Sequence, residues 1–248
     1  MKDPAYRQYL AEADNWFHTG RRTLVRNCLA RFVHAAPERC EVLEVGAGDG
    51  RNVGALAELG RVDVIEFEPA AVAALKARGA VRNIYQSEVP FALERAYDVI
   101  CAMDVIEHTR DDQRVFAWLA DHLKPHGVLF LTVPAYQLLF GPHDEALGHY
   151  RRYTVGRLLA LNRGSLRCVK KGYFNALLFP LAATTRLWGR LVPRRRQAVR
   201  KQSSSVPRLF DRLFATVLDV ENRLIRRWEL FPFGLTAFAV FTRVGAEE

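Results

Sequence analysis

The sequence predicts an α/β fold with a mostly parallel sheet, and three observations carry the prediction. Short apolar runs alternate with helical stretches at intervals of roughly 20 to 30 residues, as βαβ units require. The first run, Glu41-Val-Leu-Glu-Val-Gly46, ends in a glycine turn, and the second and fourth end in the acidic residues Glu66 and Asp104. The 248 residues are half hydrophobic, enough for a full core.

Residues 1–38 read as a helical cap, with Trp16, Phe17, Leu24, Val25, Leu29, Phe32 and Val33 at about helical spacing. The first strand leads to a helix from Asn52 to Leu59. The second, Val62 to Phe67, precedes Pro69 and a helix to Arg78, proline being preorganised for a first helical turn. A weak third strand spans Val81 to Tyr85 and a strongly apolar fourth spans Tyr97 to Met103. A helix from Gln113 to Leu123 then leads through Lys-Pro-His-Gly to the fifth strand, Val128 to Val133. Thr154 caps a helix from Val155 to Asn162, Leu166 to Tyr173 reads as the sixth strand and Thr236 to Arg243 as the seventh. Between the last two lie about 60 residues that a minimal α/β sheet of alternating elements does not require. One amphipathic face in that insert carries Phe210, Leu213, Phe214, Val217, Leu224, Ile225 and Trp228. The chain is thus read as one domain over 1–248: cap 1–38, core 39–173, basic and apolar insert 174–235, last strand and tail 236–248.

Charge is unevenly placed. The chain carries 36 basic and 27 acidic residues, a net +9. Ala146 to Phe210 contains no Asp or Glu and 15 Lys plus Arg, so this one segment holds the positive excess. Such a segment attracts anionic lipid, nucleic acid or an acidic substrate. Met1 to Leu10 lacks a signal-peptide core. Phe174 to Val192 is broken by Pro180, Arg186, Gly189 and Arg190, which argues against a spanning helix. The four cysteines form no C-x-x-C pair, so neither a zinc site nor a disulfide framework is expected. The expectation is a cytoplasmic protein, with peripheral contact at the inner face of the membrane through 174–210.

Leu43-Glu-Val-Gly-Ala-Gly-Asp-Gly50 lies at a strand-to-helix turn, where glycines bring a ligand against bare peptide. The dinucleotide fingerprint G-x-G-x-x-G fails, since Arg51 or Val53 stands where its third glycine belongs, and no phosphate-cradling P-loop is present. Glu66 follows about 20 residues after the turn, where a carboxylate reaches ribose hydroxyls. Met103-Asp-Val-Ile-Glu-His108 ends the fourth strand at the same carboxyl edge, and Leu123-Lys-Pro-His-Gly127 leads into the fifth.

In these motifs, over about residues 40–160, the sequence resembles the class I S-adenosylmethionine-dependent methyltransferases, in the branch whose fourth strand ends in a DVLEH-type motif. The resemblance implies a Rossmann-like seven-stranded sheet with an antiparallel last strand and helices on both faces. It implies S-adenosyl-L-methionine as methyl donor and S-adenosyl-L-homocysteine as product, without a metal. It places Glu44, Gly46, Ala47, Gly48, Gly50 and Asn52 around the methionine portion, Glu66 on the ribose, Phe67 on the adenine, and Asp104, Val105 and Ile106 along the cleft. The usual acidic adenine partner after the third strand is missing; Gln86, Ser87 and Glu88 are its candidate substitutes.

The polar run Pro142 to Thr154 follows the fifth strand and supplies the acceptor-side candidates. His149, His143 and Tyr153 are candidate catalytic residues, a histidine being suited to proton abstraction near neutrality. Arg152, Tyr150, His108 and Trp16 are candidate acceptor contacts. The apolar and basic insert favours a small hydrophobic or lipid-linked acceptor over an RNA-directed activity, since the Asn/Asp-Pro-Pro-aromatic signature of base-amino methyltransferases is absent. A non-catalytic, methyltransferase-like interaction protein is the reading from another class, and the intact glycine loop argues against it.

Overall fold

The structure, a computed structural model, describes residues 14–184, 208–227 and 231–244. The expected basic run Arg194 to Lys201, Ser203 to Ser205 and Trp228 lie outside the described residues. In chain order the elements are α1 (Trp16–Leu29), β1 (Glu41–Val45), α2 (Val53–Ala57), β2 (Arg61–Ile65), α3 (Pro69–Arg78), β3 (Asn83–Tyr85), β4 (Tyr97–Met103), α4 (Asp112–Asp121), β5 (Leu123–Pro134), α5 (Pro142–Leu147), α6 (Val155–Leu159), β6 (Arg167–Phe174), α7 (Arg208–Arg227) and β7 (Thr236–Thr242).

The seven strands form one sheet in the order β3-β2-β1-β4-β5-β7-β6. The first five are parallel, and β7 runs antiparallel to both β5 and β6. The fold class expected from the sequence is therefore present. Strand order reverses between β1 and β4, whose carboxyl ends open the crevice where ligands of open α/β sheets bind.

Each face of the sheet has its own core. One, around Leu43, Ile100, Phe116, Leu129 and Phe241, lies under α4 and α6. The other, around Leu24, Val42, Val64, Phe130, Phe174 and Leu218, lies under α1 and α7. Strands buried on both faces explain why β1, β4 and β5 read as near-continuous apolar runs. Helix α1 starts at Asn15, whose side chain accepts from the Phe17 and His18 amides. The insert's helix α7 packs against α1: Asn222 Nδ2 donates to the Gly20 carbonyl at 2.9 Å, and Trp16 meets Phe214 at 5.3 Å. A Cβ at Gly20 would come within 2.5 Å of Leu218, so the glycine permits this close approach.

Two expectations about local structure are corrected. The cap is not helical to residue 38; α1 ends at Leu29, and the residue before Pro37 is disfavoured in a helix. Strand β5 begins at Leu123 rather than Val128, because Lys-Pro-His-Gly continues the pairing through an irregularity between Tyr97 and Val99, with His126 at φ 62°. Among the described residues, no helix is long and apolar enough to cross a membrane, and all four cysteines are free thiols.

Candidate active site

The glycine turn sits at the carboxyl end of β1. Gly46, Gly48 and Gly50 have φ of 70°, 56° and 82°, conformations that a side chain resists. A Cβ at Gly46 would lie 2.7 Å from Val105 Cγ2, so Val105 closes over the turn from the β4 side. Glu66 ties the turn down: its carboxylate accepts from Gly48 N at 2.8 Å and from Phe67 N and Glu68 N, both at 2.9 Å. Glu44 is buried below the turn. Its Oε1 accepts from Asn52 Nδ2 at 2.8 Å, while Oε2 has no hydrogen-bond partner. Burial pushes its carboxyl up to about 7, against the opposing pull of Asn52 and Arg21. A buried acceptor left open beside a backbone cradle fits the cationic ammonium end of a methionine moiety.

The far wall comes from α1, whose Trp16 is the candidate acceptor contact named from the sequence. Arg21 Nη1 donates to Asp104 Oδ2 at 2.7 Å, and Asp104 itself has φ 55°. Arg51 Nη1 donates to His18 Nε2 at 2.7 Å, and Arg51 Nε pairs with Asp49 at 3.0 Å. Burial first, then Arg21 and Arg51, lowers His18 to about 3, so it accepts as a neutral ring. The signal in the sequence was the Trp16-Phe-His-Thr-Gly-Arg21 lead-in.

On the acceptor side, four residues act as a unit. Asp144 is buried and receives Arg152 Nε and Nη2 at 2.8 and 3.0 Å, Gly141 N at 2.9 Å, and His149 Nδ1 at 2.9 Å. Despite burial, these partners hold its carboxyl well below the usual carboxylate range. An ionised Asp144 fixes the proton of His149 on Nδ1 and leaves Nε2 as the acceptor nitrogen. The His149 ring meets His108 edge-on at 4.5 Å. Burial, followed by His149, lowers His108 to about 4. Beside them Glu107 is fully buried, neither carboxylate oxygen has a partner, and burial pushes it well above its ordinary value.

No metal is expected from the sequence motifs, yet among the described residues one group of potential ligands comes together. One ligand atom from each of Glu107, His108 and His149 lies within 4.8 Å of the others. Donors on a single ion, with bonds of about 2.1 Å, sit roughly 3–4 Å apart. The three side chains would have to close further to share a divalent cation.

Several candidates are placed elsewhere. Tyr153 is fully buried in the α4-side core, its hydroxyl donating to Asp112 at 2.8 Å, so it does not reach an acceptor. Arg152 is spent on Asp144 and the Ala135 carbonyl and positions the dyad instead of binding substrate. Trp16 packs on Phe214 and Ile106 is buried in the core; neither lines the cleft. His143 is exposed on α5. Tyr150 is half exposed, with the Arg110 and Arg151 guanidinium groups 5.7 and 5.9 Å from its ring centre. Phe67 is partly exposed beside Glu66, and Ala47 is buried within the turn.

Comparison with known proteins agrees with this architecture. A methyltransferase-domain family matches residues 17–167. A ubiquinone biosynthesis O-methyltransferase of Rickettsia canadensis (strain McKiel) is 30% identical over 100 residues, 38% of this chain and 42% of the relative. The matched part thus spans about two fifths of that relative's length. The N-methyltransferase NodS from Bradyrhizobium japonicum WM9, solved with S-adenosylhomocysteine, superposes with a TM-score of 0.59 at 16% identity over 96% of both chains. An S-adenosylmethionine-dependent methyltransferase from Clostridium acetobutylicum ATCC 824 superposes with a TM-score of 0.55 at 11% identity, covering 95% of this chain and 94% of that one. The family match covers more than half of the sequence, and the sheet has the expected order: the chain belongs to the methyltransferase-domain family.

Proposed function

We propose that the chain methylates an oxygen on a small hydrophobic or lipid-linked acceptor with a quinone-like ring, with His149 as general base. The observation that carries this reading is the Asp144–His149 pair, 2.9 Å apart and braced by Arg152. When bound, S-adenosylmethionine would supply the sulfonium methyl group for transfer to the acceptor's lone pair, with S-adenosylhomocysteine as the product. Glu44, Asn52 and the Gly46–Gly50 turn would hold its methionine portion, Glu66 its ribose and Phe67 its adenine, with Asp104 and Val105 along the cleft. His149 Nε2 takes the acceptor's hydroxyl proton, and the ionised Asp144 stabilises the resulting imidazolium. Arg152 and the Gly141 amide keep Asp144 in place. The activity named for the Rickettsia relative favours oxygen as the acceptor atom.

Aromatic surface near the ends of β5 and β6 supports a planar apolar acceptor. Tyr136 stacks on Tyr173 at 5.2 Å, and Phe179 lies edge-on to Tyr136 at 5.6 Å. Exposed Leu177 and Leu181, ahead of the basic run in the sequence, favour peripheral contact with an anionic membrane through 174–210. Two measurements test the reading. Calorimetry should show S-adenosylhomocysteine binding to both the wild-type chain and His149→Ala. Labelled methyl transfer to a hydroxylated quinone precursor should occur only with the former; equal transfer by both would overturn the role of His149.

A further inference from the structure

A second concave region lies away from the cofactor crevice. It is an open groove of about 410 Å³ between the C-terminal ends of α1 and α7 and the edge strand β6. Arg31 enters from the turn after α1, Lys170 from β6, and Arg226 and Arg227 from the last turn of α7; Phe32 and Val169 supply apolar surface. Among the described residues, no carboxylate lines it. Leu29, the last residue of α1, stands about 12 Å beyond Arg21 along the helix axis at 1.5 Å per residue, and Arg31 follows it. This groove is therefore separate from the Arg21–Asp104 wall of the crevice.

Basic side chains at helix ends commonly offset the helix dipole. Lys170 already does this work, its Nζ donating to the Ile225 carbonyl at 2.7 Å. Arg31 and Arg226 are exposed, and neither pairs with a carboxylate among the described residues. Three separate stretches of chain thus bring cations together in one concavity, an arrangement that an anion would stabilise. Guanidinium forks match phosphate oxygens in pairs, and an ammonium adds a point charge. The adjoining apolar strip suits a phosphate carried on a less polar body.

We propose that this groove binds a phosphate-bearing ligand, through Arg31, Lys170 and Arg226, at a site independent of methyl transfer. The same chemistry is offered by a phospholipid headgroup and by a soluble phosphate. The test uses the whole chain and inorganic pyrophosphate as the calorimetric probe, with Arg31→Ala/Arg226→Ala as the principal variant and Arg226→Glu as a second. The thermal midpoint, measured without cofactor or pyrophosphate, serves as the folding control. Both variants should keep that midpoint and lose at least tenfold in pyrophosphate affinity. Unchanged affinity in the variants, or no binding to the wild-type chain, would overturn the proposal. Flotation with phosphatidylglycerol vesicles then separates the two sources. Flotation lost in the variants along with pyrophosphate binding assigns a headgroup; flotation retained while pyrophosphate binding is lost assigns a soluble phosphate.

Discussion

Asp63 and Glu107 are both carboxylates with no exposed surface, yet the chain treats them in opposite ways. Asp63, on β2, accepts from Arg82 Nε and Nη2 at 2.8 Å each, from Tyr97 Oη and Asn83 Nδ2 at 3.0 Å, and from Arg95 at 3.2 Å. Burial would raise its carboxyl, but Arg82 and Tyr97 overcome that and hold it below the usual carboxylate range. Glu107, just past β4, has no partner on either oxygen, and burial wins. A saturated buried charge belongs to the scaffold. An unsaturated one, beside His108 and His149, is a candidate for a functional group.

Removing Asp63 should therefore give the largest stability effect. Asp63→Ala leaves Arg82, Arg95 and the Tyr97 hydroxyl without their shared acceptor, and should cost about 3–5 kcal/mol in the urea unfolding free energy. A loss below about 1 kcal/mol would mean that the network is solvated and that the contrast with Glu107 is empty. On the catalytic side, Asp144→Asn weakens the hold on the His149 tautomer. Loss of general-base function should lower kcat by about 10²–10⁴, with S-adenosylhomocysteine affinity unchanged by calorimetry. If kcat holds, the dyad is only a loop brace.

The contrast between the two carboxylates also shows what a sequence can and cannot reveal. Strand β4 spans Tyr97–Met103 as its apolar run implies, and the glycine turn has the positive φ angles that its composition suggests. Periodicity and backbone constraint are local, so they are legible. Partnerships are not. Asp63 sits in an ordinary strand pattern, and nothing adjacent announces that Arg82 and Arg95 will converge on it. Tyr153 was expected at the crevice because it lies in the polar run, but its bridge to Ala135 turns it into the core. Asp144, in the same run, is the residue that organises His149, a role that depends on Arg152 folding back eight positions. Arg21 reaches Asp104 across 83 positions, a contact visible only after α1 is laid over the turn.

A third buried carboxylate, Glu44, lies between the extremes, with one oxygen bonded and one open. Its raised value, about 7, gives a pH dependence with a definite sign. An ammonium group binds the carboxylate form, so S-adenosylhomocysteine affinity should plateau above about pH 8 and fall about fivefold from pH 7 to pH 6. The unliganded chain runs the other way: the Glu44 contribution to stability is fully present below about pH 4.5 and is lost as pH rises through 7. In Glu44→Gln the slope in affinity should vanish. A slope that persists would move the titrating group elsewhere.

The smallest effect is expected at Glu107 itself. Burial pushes its carboxyl well above its ordinary value and neither oxygen is bonded, so Glu107→Gln exchanges one unpaired polar group for another of similar size. The thermal midpoint should correspond to a change within about 1 kcal/mol, far from the loss at Asp63. Turnover should nevertheless drop, because an amide, unlike a carboxyl, cannot exchange a proton beside His108 and His149. A destabilisation as large as that of Asp63→Ala would show that Glu107 has a partner in solution and is part of the scaffold. A stable variant with full turnover would leave His149 and Asp144 to carry the proton alone, and the open oxygens of Glu107 would then be a packing cost without a catalytic return.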